Sequence, residues 1–455
     1  MMQSYHLSEL LKPLQAELIN GDIRFSNVST DTRTVTAGDL FVALVGERFD
    51  AHDFAQQAVD AGAVALVVSR PLEISIPQLI VSDTRIALGR IAEYNRTFFN
   101  GTLFAVTGSS GKTTVKEMLA TVLAGAGTAL ATKGNLNNDI GVPLTLLQIE
   151  PQHQFAVIEM GASGPNEIRY SVGLAHPDIA MVNNAMGAHL EGFGSLQGVV
   201  EAKGEIYDGL SPVGTAVVNL DDPHADQWLQ RIGDRTLLTF SVESKDADVQ
   251  ALQLRMQKNG CYAFSLKHGD ESEEVRLDVL GRHNVANAVA AASLALADGL
   301  PLNTVASGLE RFTPVKGRMF TLKGIKGAHL IDDSYNANPG SMMAAIRALN
   351  ELKGERVLVI GDMGELGEDT ESIHYEIGQF AAEQNIDRLL AVGPLCRYAV
   401  EGYQQAQGIM SEHFKDQESL VASIKRLMHP DMTILIKGSR SAAMDRVVSV
   451  LKDEE

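Results

Sequence analysis

The segment between Phe104 and Thr114 constrains the fold more than any other part of the chain. Its sequence is FAVTGSSGKTT, and a helical stretch follows over Val115–Leu123. When a buried strand leads through a glycine-rich turn into a helix, backbone N–H groups and the start of the helix face an anion. We expect this turn to bind ATP, with Lys112 reaching the β- and γ-phosphates and the Thr113 hydroxyl ligating Mg²⁺. The other expected ATP-binding residues of the turn are Gly108, Ser109, Ser110, Gly111 and Thr114.

The spacing of this turn departs from the usual phosphate loop in one respect. The pattern G-x-x-x-x-G-K would place a glycine at position 106, where the chain has Val106, and the glycine is Gly108 instead. The sequence therefore predicts a shortened variant of the loop. The alternative is a glycine-serine loop with a chance lysine, and the strand–loop–helix order argues against it.

Short apolar runs alternate with stretches of helical spacing along the chain, which predicts an α/β fold. We expect three α/β domains, at residues 1–84, 85–314 and 315–455, with a linker at Phe312–Arg318. The central domain should hold a parallel sheet of the P-loop ATPase type, because its strand candidates are continuous apolar runs. The C-terminal domain should be Rossmann-like. The main strand candidates are Leu40–Leu44, Ala65–Val68, Gln78–Val81, Thr102–Thr107, Phe155–Met160, Ile179–Asn183, Thr215–Leu220, His329–Asp332, Arg356–Gly361, Arg388–Val392 and Thr433–Ile436.

The stretch before the expected helix Asn284–Asp298 has a different pattern. Leu252–Met256, Tyr262–Leu266 and Val275–Val279 are short runs separated by turn residues. This pattern predicts a small antiparallel appendage to the central domain. The charged run Glu271–Glu274 is expected to form a solvated hairpin turn.

The net charge limits the kind of partner that the protein can bind, and the cysteine content indicates the compartment in which it works. The 455 residues carry a formal charge of −19, which argues against a nucleic-acid partner because phosphate backbones need a basic surface. Cys261 and Cys396 are far apart in sequence, so a structural disulfide is not expected and a reducing compartment fits. The N-terminus lacks a signal-peptide pattern, and no apolar run approaches the roughly 20 residues of a membrane helix. We expect a cytoplasmic protein without membrane insertion.

Three polar residues of the central domain, two after expected strands and one on an expected helix, could bind the metal or the phosphates. Glu159 ends an apolar strand, where ligand groups gather in α/β sheets, although a solvated strand-end glutamate is the alternative. His189 follows the strand Ile179–Asn183, and a histidine in such a place is often only hydrogen-bonded. Lys203 lies on the apolar stripe of an expected helix, where it must be paired or modified, or else extend its amine to the solvent.

Eight short stretches, taken in their order and spacing, resemble the Mur ligases over nearly the whole chain. Each stretch is short, and the specificity comes from all of them together. They are Asp31–Arg33, Phe41–Leu44 with Gly46–His52, Thr107–Thr114, Gly134–Gly141, Ala188–Ser195, Gly281–Asn284, Asp332–Asn338 and Lys437–Ser441.

The resemblance implies roles for individual residues. In the N-terminal domain, the candidates for binding a uridine diphosphate sugar are Asp31, Thr32, Arg33 and Arg48. Asn137 and Asn138 match positions that face the sugar-peptide substrate. Thr113, Glu159 and His189 match magnesium positions, and Lys203 matches a lysine that becomes a metal-binding carbamate in related ligases. Nucleotide contacts are implied for Asn284, Asn287, Arg318 and Asp333, and contacts to an incoming dipeptide for Lys437, Ser439 and Arg440.

Two of these implied roles have simpler alternatives. Arg318 could be a solvated arginine of the linker. Ser439 could cap a helix by accepting hydrogen bonds from backbone N–H groups.

The activity implied by the resemblance is ATP-dependent amide ligation through an acyl phosphate, with two Mg²⁺ ions. Lys112, His189 and Lys203 would be the catalytic residues. Within the family, the pattern is most similar to the member that adds D-alanyl-D-alanine to a UDP-muramoyl tripeptide, and we expect a monomer. The alternatives are another Mur-type or folylpolyglutamate-type ligase and, in a different class, a nucleotide-dependent switch or binding module.

The phosphate-loop assignment is tested by Lys112→Ala. We expect this variant to lose ATP turnover, because no other cation of the turn would reach the transferring phosphate. Lys258→Ala, in an expected turn of the antiparallel appendage, is the control and should keep normal turnover. Full turnover in a folded Lys112→Ala protein would remove the assignment.

Overall fold

The structure, a computed structural model, describes residues 2–243 and 245–453. Sheets of five, nine and six strands, with helices packed against them, follow one another along the chain, and a small two-stranded sheet lies at the N-terminus. The predicted α/β class with three sheet-based parts is confirmed. The domain boundaries at 84/85 and 314/315 stay a prediction. Within the described ranges, no helix has the length and apolar character needed to cross a membrane.

The N-terminal part is built on the five-stranded sheet. The strands run in spatial order Glu17–Ile19, Gln78–Ile80, Ala65–Val68, Asp39–Val42 and Asn27–Ser29. All neighbours are parallel except the first pair. The two-stranded sheet pairs Tyr5–His6 with Arg24–Phe25. The helices are Leu11–Leu14 and Ala55–Asp60, with 3₁₀ turns at Leu7–Leu10 and Ala51–Phe54.

The nine-stranded sheet forms the centre of the molecule. Its spatial order is Glu271–Leu280, Cys261–His268, Val249–Met256, Thr236–Ser241, Thr215–Asn219, Ile179–Val182, Thr102–Thr107, Phe155–Glu159 and Ala129–Ala131. Its helices are Thr84–Arg96, Lys112–Leu123, Gly141–Leu146, Glu167–Ala175, Leu190–Phe193, Leu196–Gly204, Ala225–Ile232, Arg282–Ala297 and Leu302–Glu310, with a 3₁₀ helix at Glu205–Gly209.

The strands of this sheet are parallel where ligands are expected to bind and antiparallel at one end. Thr102–Thr107 lies between Ile179–Val182 and Phe155–Glu159, and all three are parallel. Their carboxyl ends therefore meet at one edge, which is where ligands bind in open α/β sheets. The predicted antiparallel strands are present and extend this same sheet.

The expected hairpin turn at Glu271–Glu274 is wrong. These residues are the exposed start of the strand Glu271–Leu280, and the turn is formed by Gly269 and Asp270. The strand lies at the edge of the sheet. Charged side chains at such an edge discourage pairing with another chain, so a charge run is compatible with a strand here.

The C-terminal sheet has six strands in the order Phe320–Lys323, His329–Asp333, Met432–Lys437, Glu355–Gly361, Arg388–Val392 and Met410–Phe414. Only the first pair is antiparallel. The helices are Pro339–Asn350, Thr370–Glu383, Cys396–Gln405, Gln417–Leu427 and Asp445–Leu451, with 3₁₀ turns at Ile325–Gly327, Gly367–Asp369 and Arg440–Ala442.

The central and C-terminal parts share one apolar core. Val115 and Met118 of the helix after the phosphate loop belong to the same buried cluster as Met342 and Ile346 of the C-terminal helix Pro339–Asn350. The Tyr262 hydroxyl of the antiparallel strands also donates to Glu351 Oε1 over 2.7 Å. The loops of the C-terminal sheet are thereby held over the ligand edge of the central sheet.

Close helix packing in the C-terminal part depends on Gly378. A Cβ at this position would collide with the carbonyl oxygen of Ala399 on the neighbouring helix. We expect Gly378→Ala to destabilise the protein by about 1–3 kcal/mol, because the helices must move apart. Gly173→Ala is the matched control: Gly173 also lies in a helix, but its Cβ would meet nothing within 4 Å. Chemical unfolding followed by circular dichroism should separate the two, and equal midpoints would contradict the packing argument.

Candidate active site

A cavity of about 800 Å³ lies at the ligand edge of the central sheet, beneath the loops of the C-terminal sheet. The phosphate loop, the ends of neighbouring strands and the helix Arg282–Ala297 form its walls. The residues expected from the sequence that line it are Ser109, Ser110, Gly111, Lys112, Thr113, Thr114, Asn137, Asn138, Glu159, His189, Asn284, Asn287, Arg318, Asp333 and Lys437. The structure therefore gathers most of the candidate residues, from two parts of the chain, around one space.

The phosphate loop adopts a backbone that requires glycine at one position. Gly111 has φ = 77° and directly precedes the helix Lys112–Leu123. A Cβ on Gly111 would collide with the side-chain amides of Asn287 and Asn183. Lys112 folds back over the loop, and its Nζ donates to the carbonyl oxygen of Gly108 over 2.6 Å. Burial lowers the pKa of the Lys112 amine, and an anion bound beside it would favour the charged form again.

Two asparagines that the sequence analysis did not single out hold this loop in shape. The Ser110 N–H donates to Asn184 Oδ1 over 2.9 Å, and the side-chain amides of Asn183 and Asn184 both donate to the Ser110 carbonyl. Both residues directly follow the buried strand Ile179–Val182. Their position at the carboxyl end of a strand was the feature that could have identified them.

Asn287 connects the same network to the helix Arg282–Ala297. The Asn183 amide donates to Asn287 Oδ1 over 3.1 Å, and the Asn287 amide donates to Asn284 Oδ1 over 2.8 Å. Both Asn284 and Asn287 are buried at the start of this helix. This chain of side-chain amides connects the phosphate loop to the start of the helix Arg282–Ala297.

Glu159 is the carboxylate at the centre of the site. The Thr113 hydroxyl donates to its Oε2 over 2.8 Å, and the Asn137 amide donates to its Oε1 over 2.7 Å. Glu159 is buried, at the end of the strand Phe155–Glu159. A buried carboxylate beside a hydroxyl offers the hard oxygen ligands that Mg²⁺ prefers, so the donor set fits this ion.

Arg318 reaches into the site from the linker. Its Nη2 donates to the Thr113 hydroxyl over 2.8 Å, and its guanidinium stacks 4.3 Å from the centre of the Tyr335 ring. The structure thus places it against the phosphate loop, where a solvated linker arginine would not lie. It brings a positive charge from the C-terminal part to the place where ATP phosphates would bind.

Asp333 and Lys437 form a buried pair on the C-terminal side of the cavity. The Lys437 Nζ donates to Asp333 Oδ2 over 2.6 Å and to the carbonyl oxygen of Asn336 over 2.9 Å. Nearby, burial lowers the pKa of the His283 imidazole to about 4, so this ring is neutral at pH 7. Lys437 reaches the cavity in a paired state, and its charge is already compensated.

His189 lies where the central and C-terminal parts meet. Its Nδ1 contacts a carboxylate oxygen of Glu365, a residue that the sequence analysis did not identify. Both residues have left-handed backbones, with φ = 55° for His189 and 60° for Glu365. Burial lowers the pKa of His189, which favours the neutral imidazole that binds metals. Glu365 belongs to another domain, so no local sequence pattern could have paired it with His189.

Lys203 is 2% exposed on the helix Leu196–Gly204. Among the residues that the structure describes, its Nζ donates only a long hydrogen bond, 3.5 Å to the carbonyl oxygen of Ala162, and it lies 5.4 Å from the centre of the Phe193 ring. Burial lowers the pKa of the amine to about 7, and the nearby Lys112 charge acts in the same direction. The alternative of an amine that extends to the solvent does not fit this burial.

The remaining candidates lie outside the cavity lining. Arg33 is exposed and pairs with Asp31 over 2.6 Å, Thr32 is half-buried, and Arg48 is exposed in the loop beside Phe49.

The candidates Ser439, Arg440 and Gly108 also lie outside the lining. Ser439 Oγ donates to the Asp362 carbonyl over 2.6 Å, and within the described residues its side chain makes no cap bond to a backbone N–H. Arg440 is exposed near the Tyr335 ring. Gly108 supports the loop through its carbonyl oxygen.

Comparison with known proteins decides the family. Three family profiles match the chain: "Mur ligase family, catalytic domain" at residues 24–96, "Mur ligase middle domain" at 106–295 and "Mur ligase, glutamate ligase domain" at 317–440. The chain is 48% identical over 454 residues to the UDP-N-acetylmuramoyl-tripeptide–D-alanyl-D-alanine ligase of Escherichia coli (strain K12), and the match covers 99% of both chains. The chain belongs to the Mur ligase family. The resemblance proposed from short sequence stretches is confirmed.

Solved structures agree with this assignment. The Mur ligase is similar to MurF from Acinetobacter baumannii, with a TM-score of 0.93, 36% identity and 99% of both chains covered. It is also similar to the MurF ligase from Thermotoga maritima in complex with ADP, with a TM-score of 0.84, 29% identity, and 93% and 96% of the two chains covered. The protein is therefore a ligase with the three-part Mur fold.

The state of Lys203 can be measured directly. The uncharged amine is the form that adds CO₂, with loss of a proton, and a pKa of about 7 leaves much of this amine uncharged at neutral pH. We expect a carbamate resonance in the ¹³C NMR spectrum under labelled CO₂, which grows as pH rises through 7 at fixed CO₂ pressure. Lys203→Arg is the control, because its guanidinium stays protonated. Identical spectra for the two proteins would contradict the carbamate.

Proposed function

We propose that this Mur ligase adds D-alanyl-D-alanine to a UDP-N-acetylmuramoyl tripeptide, with ATP as the energy source and an acyl phosphate as the intermediate. The observation that carries the proposal is the position of Glu159. Its carboxylate bonds to Thr113 of the ATP loop on one side and to Asn137 of the loop expected to face the sugar-peptide on the other. The end of the triphosphate and the substrate's carboxylate would therefore meet at Glu159.

The first step transfers the γ-phosphoryl group to the terminal carboxylate of the tripeptide. A carboxylate oxygen attacks the γ-phosphorus, the bond to the β-phosphate oxygen breaks, and an acyl phosphate and ADP result. Lys112 contacts the loop at the Gly108 carbonyl and Arg318 contacts it at the Thr113 hydroxyl, and both cations would disperse negative charge on the transferring group. Mg²⁺ bound by Thr113 and Glu159, with a second ion near His189 and a carbamoylated Lys203, would supply further charge neutralisation.

The second step forms the amide. The free amine of the dipeptide attacks the acyl carbon, inorganic phosphate leaves with the acyl oxygen, and the amine loses a proton. We place the dipeptide on the C-terminal side, where Lys437 ends the strand Met432–Lys437 and Ser439 and Arg440 follow it. Ser439 and Arg440 are outside the cavity lining in this structure, so their role requires a movement of the C-terminal part.

The acyl phosphate must be kept from water until the amine arrives. The contacts of Arg318 with Thr113 and of Glu365 with His189 join the C-terminal part to the central part beside the cavity. We place the hinge for opening at Phe312–Arg318, directly before the strand Phe320–Lys323. UDP-sugar binding by Asp31, Thr32, Arg33 and Arg48 of the N-terminal part belongs to the same proposal.

The proposed reaction uses groups of one chain only, and we propose that the protein acts as a monomer. Both cysteines are buried as free thiols, which supports a reducing, cytoplasmic location. The ligands of the proposed site are small molecules. The net charge of −19 also argues against nucleic acid as a partner.

A substrate-omission assay tests the proposed function. Phosphate release from ATP should require both the UDP-muramoyl tripeptide and D-Ala-D-Ala, because the acyl phosphate forms only on the first and is consumed by the second. Single D-alanine, L-glutamate and a folate acceptor serve as competing substrates. Release with glutamate and folate would indicate a folylpolyglutamate-type ligase. Release from ATP alone, unaffected by either substrate, would indicate a nucleotide-dependent switch.

A further inference from the structure

Lys116 is a fully buried lysine that the proposed mechanism does not use. It lies four residues after Lys112 on the helix Lys112–Leu123, so both lysines share one face of that helix. Its side chain is 0% exposed, and its Nζ donates to the carbonyl oxygen of Thr132 over 2.6 Å. The Nζ also lies 2.5 Å from Glu117 Oε1, a side chain that is 39% exposed.

Thr132 connects this ammonium to the metal carboxylate. Its hydroxyl accepts the backbone N–H of Glu159 over 3.0 Å, and its own N–H donates to the carbonyl oxygen of Val157 over 3.0 Å. Thr132 is therefore hydrogen-bonded to two residues, Val157 and Glu159, of the strand that ends in Glu159. Displacing Thr132 would displace the backbone from which the Glu159 carboxylate projects.

The same residue begins the loop that carries Asn137. The Asn137 amide donates to Glu159 Oε1, and the Asn137 carbonyl oxygen accepts the N–H of Gly161 over 2.7 Å. This loop thus wraps around the end of the Glu159 strand, with Thr132 at its start. If Thr132 is held in place, the positions of the Asn137 loop and of the Glu159 carboxylate are fixed with respect to each other and to the helix Lys112–Leu123.

Stability alone does not account for an ammonium at this position. Burying a charge costs free energy even when it is paired, and an apolar side chain of similar size is often equally stable or better. The pair with Glu117 is half in solvent and contributes little. The interaction that distinguishes lysine from an apolar residue is the bond to the Thr132 carbonyl.

We propose that Lys116 is a positioning residue that ties the ATP helix to Thr132 and so holds Glu159 and Asn137 in place for the metal–nucleotide complex. The proposal rests on the metal role proposed for Glu159. Groups that orient a metal ligand typically change metal affinity by 10–100-fold when removed. Loss of Lys116 should therefore weaken metal binding without removing any metal ligand.

The test measures binding of Mn²⁺, as a probe for Mg²⁺, to the full-length protein with a non-hydrolysable ATP analogue, by electron paramagnetic resonance. Lys116→Met should weaken Mn²⁺ binding roughly tenfold, while binding of the nucleotide without metal stays near that of the unchanged protein. Thr132→Val, which removes the acceptor for the Glu159 N–H, should act in the same direction. The combined variant should lose less than the sum of the two effects, because the two bonds are successive steps of one connection, from Lys116 through Thr132 to Glu159.

Two controls separate positioning from general destabilisation. Glu117→Gln removes the other partner of Lys116 and should leave Mn²⁺ affinity unchanged. Met118→Ala creates a cavity in the apolar core on the same helix, and should lower the melting temperature without the tenfold loss of metal affinity. Normal Mn²⁺ affinity in Lys116→Met, or an equal loss in Met118→Ala, would overturn the proposal.

If Lys116→Met does not fold, Lys116→Gln takes its place, since glutamine keeps a donor with a shorter reach. Failure of both variants to fold would make Lys116 a residue of stability and would also overturn the proposal. A measurement on the unchanged protein distinguishes failure of the Lys116 proposal from failure of the proposed function. If it binds no Mn²⁺ with the nucleotide, the metal role of Glu159 fails, whatever Lys116 does.

Discussion

The hydrogen bonds that surround the Glu159 carboxylate are the constraint on which the rest of the site depends. One oxygen accepts a hydrogen bond from Thr113, at the start of the helix Lys112–Leu123, and the other accepts one from the side-chain amide of Asn137. The carboxylate can occupy this place because its strand lies between two parallel neighbours, Thr102–Thr107 and Ala129–Ala131, and ends at the ligand edge of the sheet. The sheet order, the phosphate loop and the closing contact of Arg318 on Thr113 therefore all converge on one buried anion.

Local chemistry explains which parts of the site could be predicted from the sequence. The phosphate loop and its helix depend on neighbouring residues, and the burial of Lys203 follows from its place on an apolar stripe. Asn184 could have been identified from its place after a strand. Glu365 could not, because it lies 176 positions after His189, and only the packing of two sheets brings them together.

The fold shows the same division between local and long-range information. Continuous apolar runs predicted the parallel strands because burial on both faces demands them. The exposed run Glu271–Glu274 was assigned to a turn, since charge alone does not distinguish a turn from an edge strand. The short strands Glu17–Ile19 and Asn27–Ser29 were missed because each has too few residues to show a periodic pattern. Their pairing partners, distant in sequence, determine their structure.

The contact of Gly111 with Asn287 limits how this enzyme can evolve. The two positions come from opposite ends of the central domain, yet the absence of a side chain at the first makes room for the amide of the second. A mutation that enlarged residue 111 to exclude an inhibitor from the phosphate pocket would have to be accompanied by smaller residues at both 183 and 287, and the left-handed backbone at residue 111 would still be strained. Those further changes would remove the amides that brace the loop. Drug resistance by this route would therefore require several simultaneous substitutions, and would still impair the use of ATP.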